Sequence, residues 1–221
     1  MDIPGDFSTT AVLSFTSAYT SNRFESGDDA DWYRVQLKRG DAVAFNFVCS
    51  AACDAILVDP NGGKVAFGAG FGTYNDGGAG YVVPLDGTYF WTLINKSGAP
   101  GTYRTRMARD CTDGAPTKCT LEPGQARLGD AFYDGDRDSW SVELAANRRY
   151  DVTLTTLGPR VEQLVVALTT QWDGFLQWQN NGPDGGKSVT LKGFRPPANG
   201  TFLVRVGPGP AGQYRLLVQP R

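Results

Sequence analysis

The 221 residues contain no histidine. That absence removes the commonest general base of enzymes, and with it every Ser-His-Asp or Cys-His arrangement. No Gly-x-Ser-x-Gly elbow occurs either. Asp and Glu are plentiful enough for a carboxylate pair of glycosidase type, but nothing marks a poised pair, so no enzymatic activity is expected. A block of one charge is missing too: 21 Lys and Arg stand against 23 Asp and Glu, mixed along the chain, for a formal net charge of −2. With no basic stripe, neither nucleic acid nor an anionic membrane surface is an expected partner. Apolar runs fall far short of the ~18 residues that span a bilayer, so membrane insertion is not expected. Sustained apolar spacing at 3.6 residues is absent, and no helix is expected. Met1-Asp-Ile-Pro-Gly5 lacks a charged segment followed by an apolar one, so no signal peptide is expected there. A mature segment of a larger exported protein and a cytosolic protein both fit that reading.

What the chain has is glycine (28), proline (13) and aromatics interleaved with Val, Thr, Leu and polar residues. That mixture reads as short strands joined by tight turns. Two stretches then recur. Gly27-Asp-Asp-Ala-Asp-Trp-Tyr-Arg-Val-Gln-Leu37 is echoed by Gly135-Asp-Arg-Asp-Ser-Trp-Ser-Val-Glu-Leu144. Gly87-Thr-Tyr89 with Gly101-Thr-Tyr-Arg104 is echoed by Gly200-Thr-Phe202 with Gly212-Gln-Tyr-Arg215. Asp31 maps to Asp138, Gly87 to Gly200 and Tyr103 to Tyr214. The spacing is about 110 residues, well beyond the ~20–50 of solenoid units, so whole domains repeat. Two tandem domains are expected, residues 1–108 and 109–221, with the boundary in the loop-forming run Ala108–Thr117.

Within each half, alternation places Tyr33, Val35 and Leu37 on one strand face, and Trp140, Val142 and Leu144 on its counterpart. Asp59-Pro-Asn-Gly62 is a strong turn signal, because proline presets φ and glycine accepts a positive φ. The expected fold class is all-β: two tandem antiparallel β-sandwiches, jelly-roll-like.

Four cysteines fall in two close pairs, Cys49/Cys53 and Cys111/Cys119, without the spacing of a zinc ribbon. Three disulfide connectivities are formally possible, and local pairing is the simplest. Loops that short remove little chain entropy, so such bonds would be clips. An oxidising, exported setting is favoured: secreted, cell-surface or periplasmic.

These motifs resemble the bacterial pre-peptidase C-terminal domain, whose pattern is roughly Gly-Asp-x-Asp-Trp-aromatic-x-Val-x-Leu, a Leu-x-Asp-x-x-Gly turn, Gly-Thr-Tyr, and a late Gly-x-Tyr. Gly27, Asp31, Trp32, Tyr33, Val35, Leu37, the Leu57–Gly62 turn, Gly87–Tyr89 and Gly101–Tyr103 carry the match in the first half. Gly135, Asp136, Asp138, Trp140, Val142, Leu144, Gly200–Phe202 and Gly212–Tyr214 carry it in the second. The second half departs at its middle turn and at the tryptophan slot, which Ser139 fills. The resemblance implies a non-catalytic accessory pair of an exported bacterial protein, with neighbouring domains of that protein as partners. Related domains of collagenases bind collagen with calcium at an acidic amino-terminal edge. Met1–Asp6 is too sparse in carboxylates to copy that site.

Two constellations are candidates for ligands. Asp134-Gly-Asp-Arg-Asp138 opens like a calcium loop, and Asp28, Asp29 and Asp31 occupy the related turn. Ser139 and Ala145 stand where an EF-hand needs glycine and glutamate. Aspartates that accept backbone N–H bonds ahead of a strand are the preferred explanation, with calcium as the alternative. Trp172, Phe175 and Trp178, with amide side chains nearby, suit stacking on the sugar rings of a polysaccharide. Packing of those rings in a core is the preferred explanation. An extracellular matrix protein is a further partner to consider. Glycine-rich Phe67-Gly-Ala-Gly-Phe71 with Tyr74 could form a rim.

Overall fold

Along Ala30–Leu37, Asp31, Tyr33, Val35 and Leu37 are buried while Arg34 and Gln36 are exposed. A period of two is what one core-facing side imposes on a strand. A computed structural model describes residues 3–15, 18–69, 76–111, 119–131, 136–158, 165–170, 175–180, 186–207 and 212–221, with 69, 76, 165, 166, 170 and 175 described by backbone alone. The chain is all-β, with no helix among the described residues.

It divides into two compact units, Met1–Asp110 and Cys111–Arg221. Unit 1 holds β1 (Thr20–Phe24), β2 (Ala30–Leu37), β3 (Ala42–Cys49), β4 (Cys53–Val58), β5 (Lys64–Ala69), β6 (Asp76–Val82), β7 (Gly87–Asn95) and β8 (Gly101–Arg109). Unit 2 holds β9 (Thr120–Leu121), β10 (Ala126–Ala131), β11 (Asp138–Leu144), β12 (Tyr150–Thr156), β13 (Val165–Thr170), β14 (Phe175–Asn180), β15 (Ser188–Phe194), β16 (Gly200–Val206) and β17 (Gly212–Pro220).

Unit 1 pairs β1-β8-β3-β6 in one sheet and β2-β7-β4-β5 in the other. Unit 2 pairs β10-β17-β12-β15 and β14-β13-β16-β11-β9. Reading β1–β8 against β10–β17 gives the same neighbours in the same order, so one eight-strand topology is built twice. Each unit also has its own core. In unit 1, Phe45 stacks on Trp91 at 4.5 Å between ring centroids, among Tyr33, Val35, Phe47, Leu57 and Met107. In unit 2, Trp140, Val142, Leu154, Leu168, Val204 and Leu216 form the equivalent cluster. The buried Trp91 indole donates to the Thr105 hydroxyl at 2.9 Å, which donates onward to the Asn46 carbonyl at 2.9 Å. A large ring with a polar edge is accepted in a core when that edge is satisfied.

A short segment closes the same edge in each unit. Val12 bridges Arg34 of β2 in parallel, with Arg34 N–H to the Ala11 carbonyl at 2.8 Å and Leu13 N–H to the Arg34 carbonyl at 3.0 Å. In unit 2 this place is taken by β9, whose Thr120 and Leu121 lie opposite Ser141 and Val142. Leu13 and Leu121 are both buried in their cores. The edge strand is thereby covered, which removes a row of unpaired backbone groups.

Disulfides join Cys49 to Cys53 and Cys111 to Cys119. The first ties the end of β3 to the start of β4, across the two sheets of unit 1. The second brackets the entry to unit 2, where the Cys111 and Cys119 carbonyls accept from Ser139 N–H at 2.6 Å and Ser141 N–H at 2.8 Å. At the proline turn, the Asp59 carboxylate accepts Asn61 and Gly63 N–H groups at 2.9 and 2.7 Å, and Gly62 sits at φ 86°. Side-chain acceptance by aspartate and a left-handed glycine are the two devices such a turn needs.

Candidate functional site

The aspartates picked out as turn or calcium residues have distinct partners. Asp28 accepts from the Ser26 hydroxyl at 2.8 Å, and Asp29 from Glu25 N–H at 2.6 Å. Asp31 is fully buried, and its Oδ2 accepts the Tyr103 hydroxyl at 2.5 Å. In unit 2 the Tyr214 hydroxyl donates to Asp138 Oδ2, and Asp138 is likewise buried. Asp136, also buried, accepts Arg137 N–H at 2.9 Å. Asp136 and Asp138 each bring a carboxylate oxygen within 4.8 Å of the other's. Asp134 lies outside the described residues.

Asp31 belongs to β2 in one sheet and Tyr103 to β8 in the other, so their hydrogen bond crosses the core. Asp138 on β11 and Tyr214 on β17 repeat the crossing. A third residue completes each set, two positions after the aspartate. In unit 2 the Trp140 indole donates to the Tyr214 oxygen at 2.8 Å. Indole can only donate, so that tyrosine accepts from tryptophan and gives its single proton to aspartate. In unit 1 the Tyr33 and Tyr103 hydroxyls are 2.7 Å apart. With the Tyr103 proton directed at Asp31, Tyr33 is the donor. Phenol and indole thus perform the same task at equivalent positions.

Backbone detail adapts to this set. Gly129 on β10 lies opposite Tyr214, and a Cβ there would meet the phenol oxygen at 2.3 Å. Asn22 fills the equivalent position opposite Tyr103 in unit 1. Gly207, at φ 100°, lets the chain pass the Asp136 carbonyl, which an added Cβ would meet at 2.4 Å.

The candidate saccharide residues divide. Trp172 lies outside the described residues, and Phe175 is described only as the first residue of β14. Trp178 was expected in a core, but it is 60% exposed. It sits on β14, the edge strand, opposite Ala167 of β13. Register explains the difference: Leu168, next to Ala167, is the core-facing residue, so Trp178 falls on the outer face of its sheet. Trp32 also turns outward, half-buried, with Phe7 edge-on at 4.9 Å and Phe90 at 5.7 Å.

Two open hollows lie at strand ends. One, of about 530 Å³, is lined by Arg23, Ser50, Tyr103 and Arg104 among others. Another, of about 680 Å³, is lined by Glu143, Ala146, Arg148, Tyr150 and Asn199 among others. Among the described residues, Glu143 is the one carboxylate lining either, and it accepts from Thr201. Neither hollow, among the described residues, brings together the two facing carboxylates that glycoside hydrolysis uses.

No protein-family model matches the chain, and no curated protein matches it. Among solved structures, it is similar to the pre-peptidase C-terminal domain of a collagenase from Bacillus anthracis, at 16% identity and a TM-score of 0.38, covering 48% of this chain and 99% of that one. It is also similar to the N-terminal CBM22-1–CBM22-2 tandem domain of Xyn10C from Paenibacillus barcinonensis, at 11% identity and a TM-score of 0.28, covering 96% and 94%. A third is the PBSX exported protein XepA, at 8% identity and a TM-score of 0.30, covering 99% and 98%.

The buried hydroxyls set an alkaline limit on unit 1. Burial, with the Asp31 charge as a lesser contributor, pushes Tyr33 from 10.0 up to about 12, against the pull of its hydrogen bonds with Tyr103 and Asn22. Tyr103 moves further in the same direction, through burial first and then its neighbours Tyr33 and Asp31. The folded state thus disfavours tyrosinate. This contribution to stability is complete below the unfolded value of 10.0 and is lost as pH rises through the folded values. The thermal midpoint of unit 1 is expected to hold up to pH 10 and fall above it, with tyrosinate absorbance appearing as unfolding proceeds. A midpoint constant from neutral pH to pH 12, with early tyrosinate absorbance, contradicts the assignment.

Proposed function

We propose that this chain is a non-catalytic pair of accessory units from an exported protein, formed by duplication of a pre-peptidase C-terminal-like sandwich. Its task is to position or tether neighbouring domains and to hold an extracellular ligand. The observation that carries this reading is the Asp–Tyr hydrogen bond buried at the same place in both units. Asp31 and Asp138 are buried between the sheets of their units, each accepting a tyrosine hydroxyl, which is a structural use of a carboxylate. Two disulfides support an oxidising compartment. Screens on peptides, esters and glycosides are expected to give no turnover above the buffer blank. Turnover that disappears in Asp31→Asn or Asp138→Asn contradicts the proposal.

A second reading, binding of a polysaccharide, is supported by the exposure of Trp178 with the amide of Asn180 on the same strand face. Stacking on one ring while amides reach hydroxyls is the usual logic of such contacts. Calcium, if it belongs to the function, would be held in unit 2 by Asp136 and Asp138, with Asp134 next to them in sequence. The carboxylates of Asp136 and Asp138 by themselves fall short of the six to eight oxygens that calcium gathers. If calcium is held there, millimolar calcium should raise the unfolding midpoint relative to chelator, and an unmoved midpoint removes the idea.

A further inference from the structure

β5 and β14 are corresponding edge strands, and each exposes one aromatic ring at the same place. On the outer face of unit 1, a row of directly opposed residues runs Trp32, Thr92, Ile56, Phe67 across β2, β7, β4 and β5. In unit 2 the equivalent row runs Ser139, Arg205, Ala167, Trp178 across β11, β16, β13 and β14. Every member of the row differs between the units, yet the last stays aromatic. It also stays open to solvent, at 59% for Phe67 and 60% for Trp178, while its opposite residue, Ile56 or Ala167, is buried.

Other exposed rings are accounted for by contacts. Phe7 packs edge-on against Trp32 and Phe90, both at 4.9 Å, and Phe15 lies under the Arg109 guanidinium at 4.8 Å. Among the described residues, neither Phe67 nor Trp178 has a ring or a cation against it. A single exposed aromatic needs no explanation. The same slot left bare in two diverged copies does, because duplication alone preserves neither exposure nor ring once every neighbour has changed.

We infer that Phe67 and Trp178 are equivalent stacking contacts for saccharide rings, one per unit, through which the chain holds a repeating polysaccharide at two points. This rests on the saccharide reading of Trp178 given above. The chemistry favours a sugar over a protein partner. Each ring projects from an edge strand: Ile56, opposite Phe67, is itself buried and Lys64 is exposed on β5, while Leu176 and Asn180 are exposed on the same face of β14 as Trp178. A protein interface needs a contiguous apolar patch, whereas one pyranose presents a single C–H face with hydroxyls around its rim. A polymer repeats that face, so two weak contacts on one chain gain avidity.

The test is co-sedimentation of the full chain with microcrystalline cellulose, chitin and insoluble xylan, alongside Phe67→Ala, Trp178→Ala, the double variant and Phe67→Trp. At least one matrix is expected to retain the parent chain. Each single alanine should weaken retention by about 100-fold, the lower end of what two-site avidity adds, and the double should abolish it. Phe67→Trp should tighten it, which a fold defect would not do. If Trp178→Ala releases the chain but Phe67→Ala and Phe67→Trp leave retention unchanged, the pairing is overturned while the single-site reading stands. Parent chain left in solution by all three matrices, or retained equally by every variant, overturns both.

Discussion

A tyrosine hydroxyl donated to a buried aspartate, across the gap between two sheets, is the contact on which each unit depends. The partners are 72 residues apart in sequence in unit 1 and 76 in unit 2. A carboxylate with no exposure is costly in an apolar interior unless donors reach it, so the sheets are held at the spacing and register that let the phenol do so. A hydrogen bond to a charged group adds about 1.5–3 kcal/mol, comparable with burying one large side chain. Its larger effect is selective. Shifting either strand by one residue would turn the aspartate or the tyrosine to solvent, and the interior would lose its polar match.

Around this fixed pair, the two units differ within physical limits. Tyr33 and Trp140 differ in size and chemistry, but each presents one donor to the same oxygen. Gly129 stands where unit 1 has Asn22, and the Tyr214 phenol occupies the space a side chain there would take. On the outer faces, constraint is weaker. Trp32, Phe90 and Phe7 build a small apolar cluster on unit 1, whereas Ser139 and Leu203 stand at the places of Trp32 and Phe90 in unit 2. What persists outside is the strand pairing, the covered edge at Leu13 and Leu121, and the open ring at Phe67 and Trp178.

Much of the fold was legible in the sequence because it is written in local patterns. Alternation along Asp31–Leu37, the proline turn at Asp59 and the absence of helical periodicity all act within a few residues. Asp31, Asp138, Tyr103 and Tyr214 were visible as markers of the repeat, but their bond was not, since nothing local signals a contact between strands of opposite sheets. Reading the aspartates as turn acceptors suits Asp28 and Asp29 and misses the role of Asp31. A tryptophan in a strand favours a core, whereas the outward face of Trp178 follows from the register against Ala167 and Leu168. β9 spans two residues and has no period to detect. Phe67 stands out in the sequence only by the glycines around it, and its equivalence to Trp178 requires the full strand order.

The most direct test of this account is a double-mutant cycle in each unit, with Asp31→Asn and Tyr103→Phe in one, and Asp138→Asn and Tyr214→Phe in the other, followed by denaturant unfolding. Residues in direct contact show coupling of about 0.5–3 kcal/mol, and the upper half of that range is predicted for both pairs. Additive losses in either unit, with coupling near zero, would mean that the shared aspartate and tyrosine do not hold the sheets together.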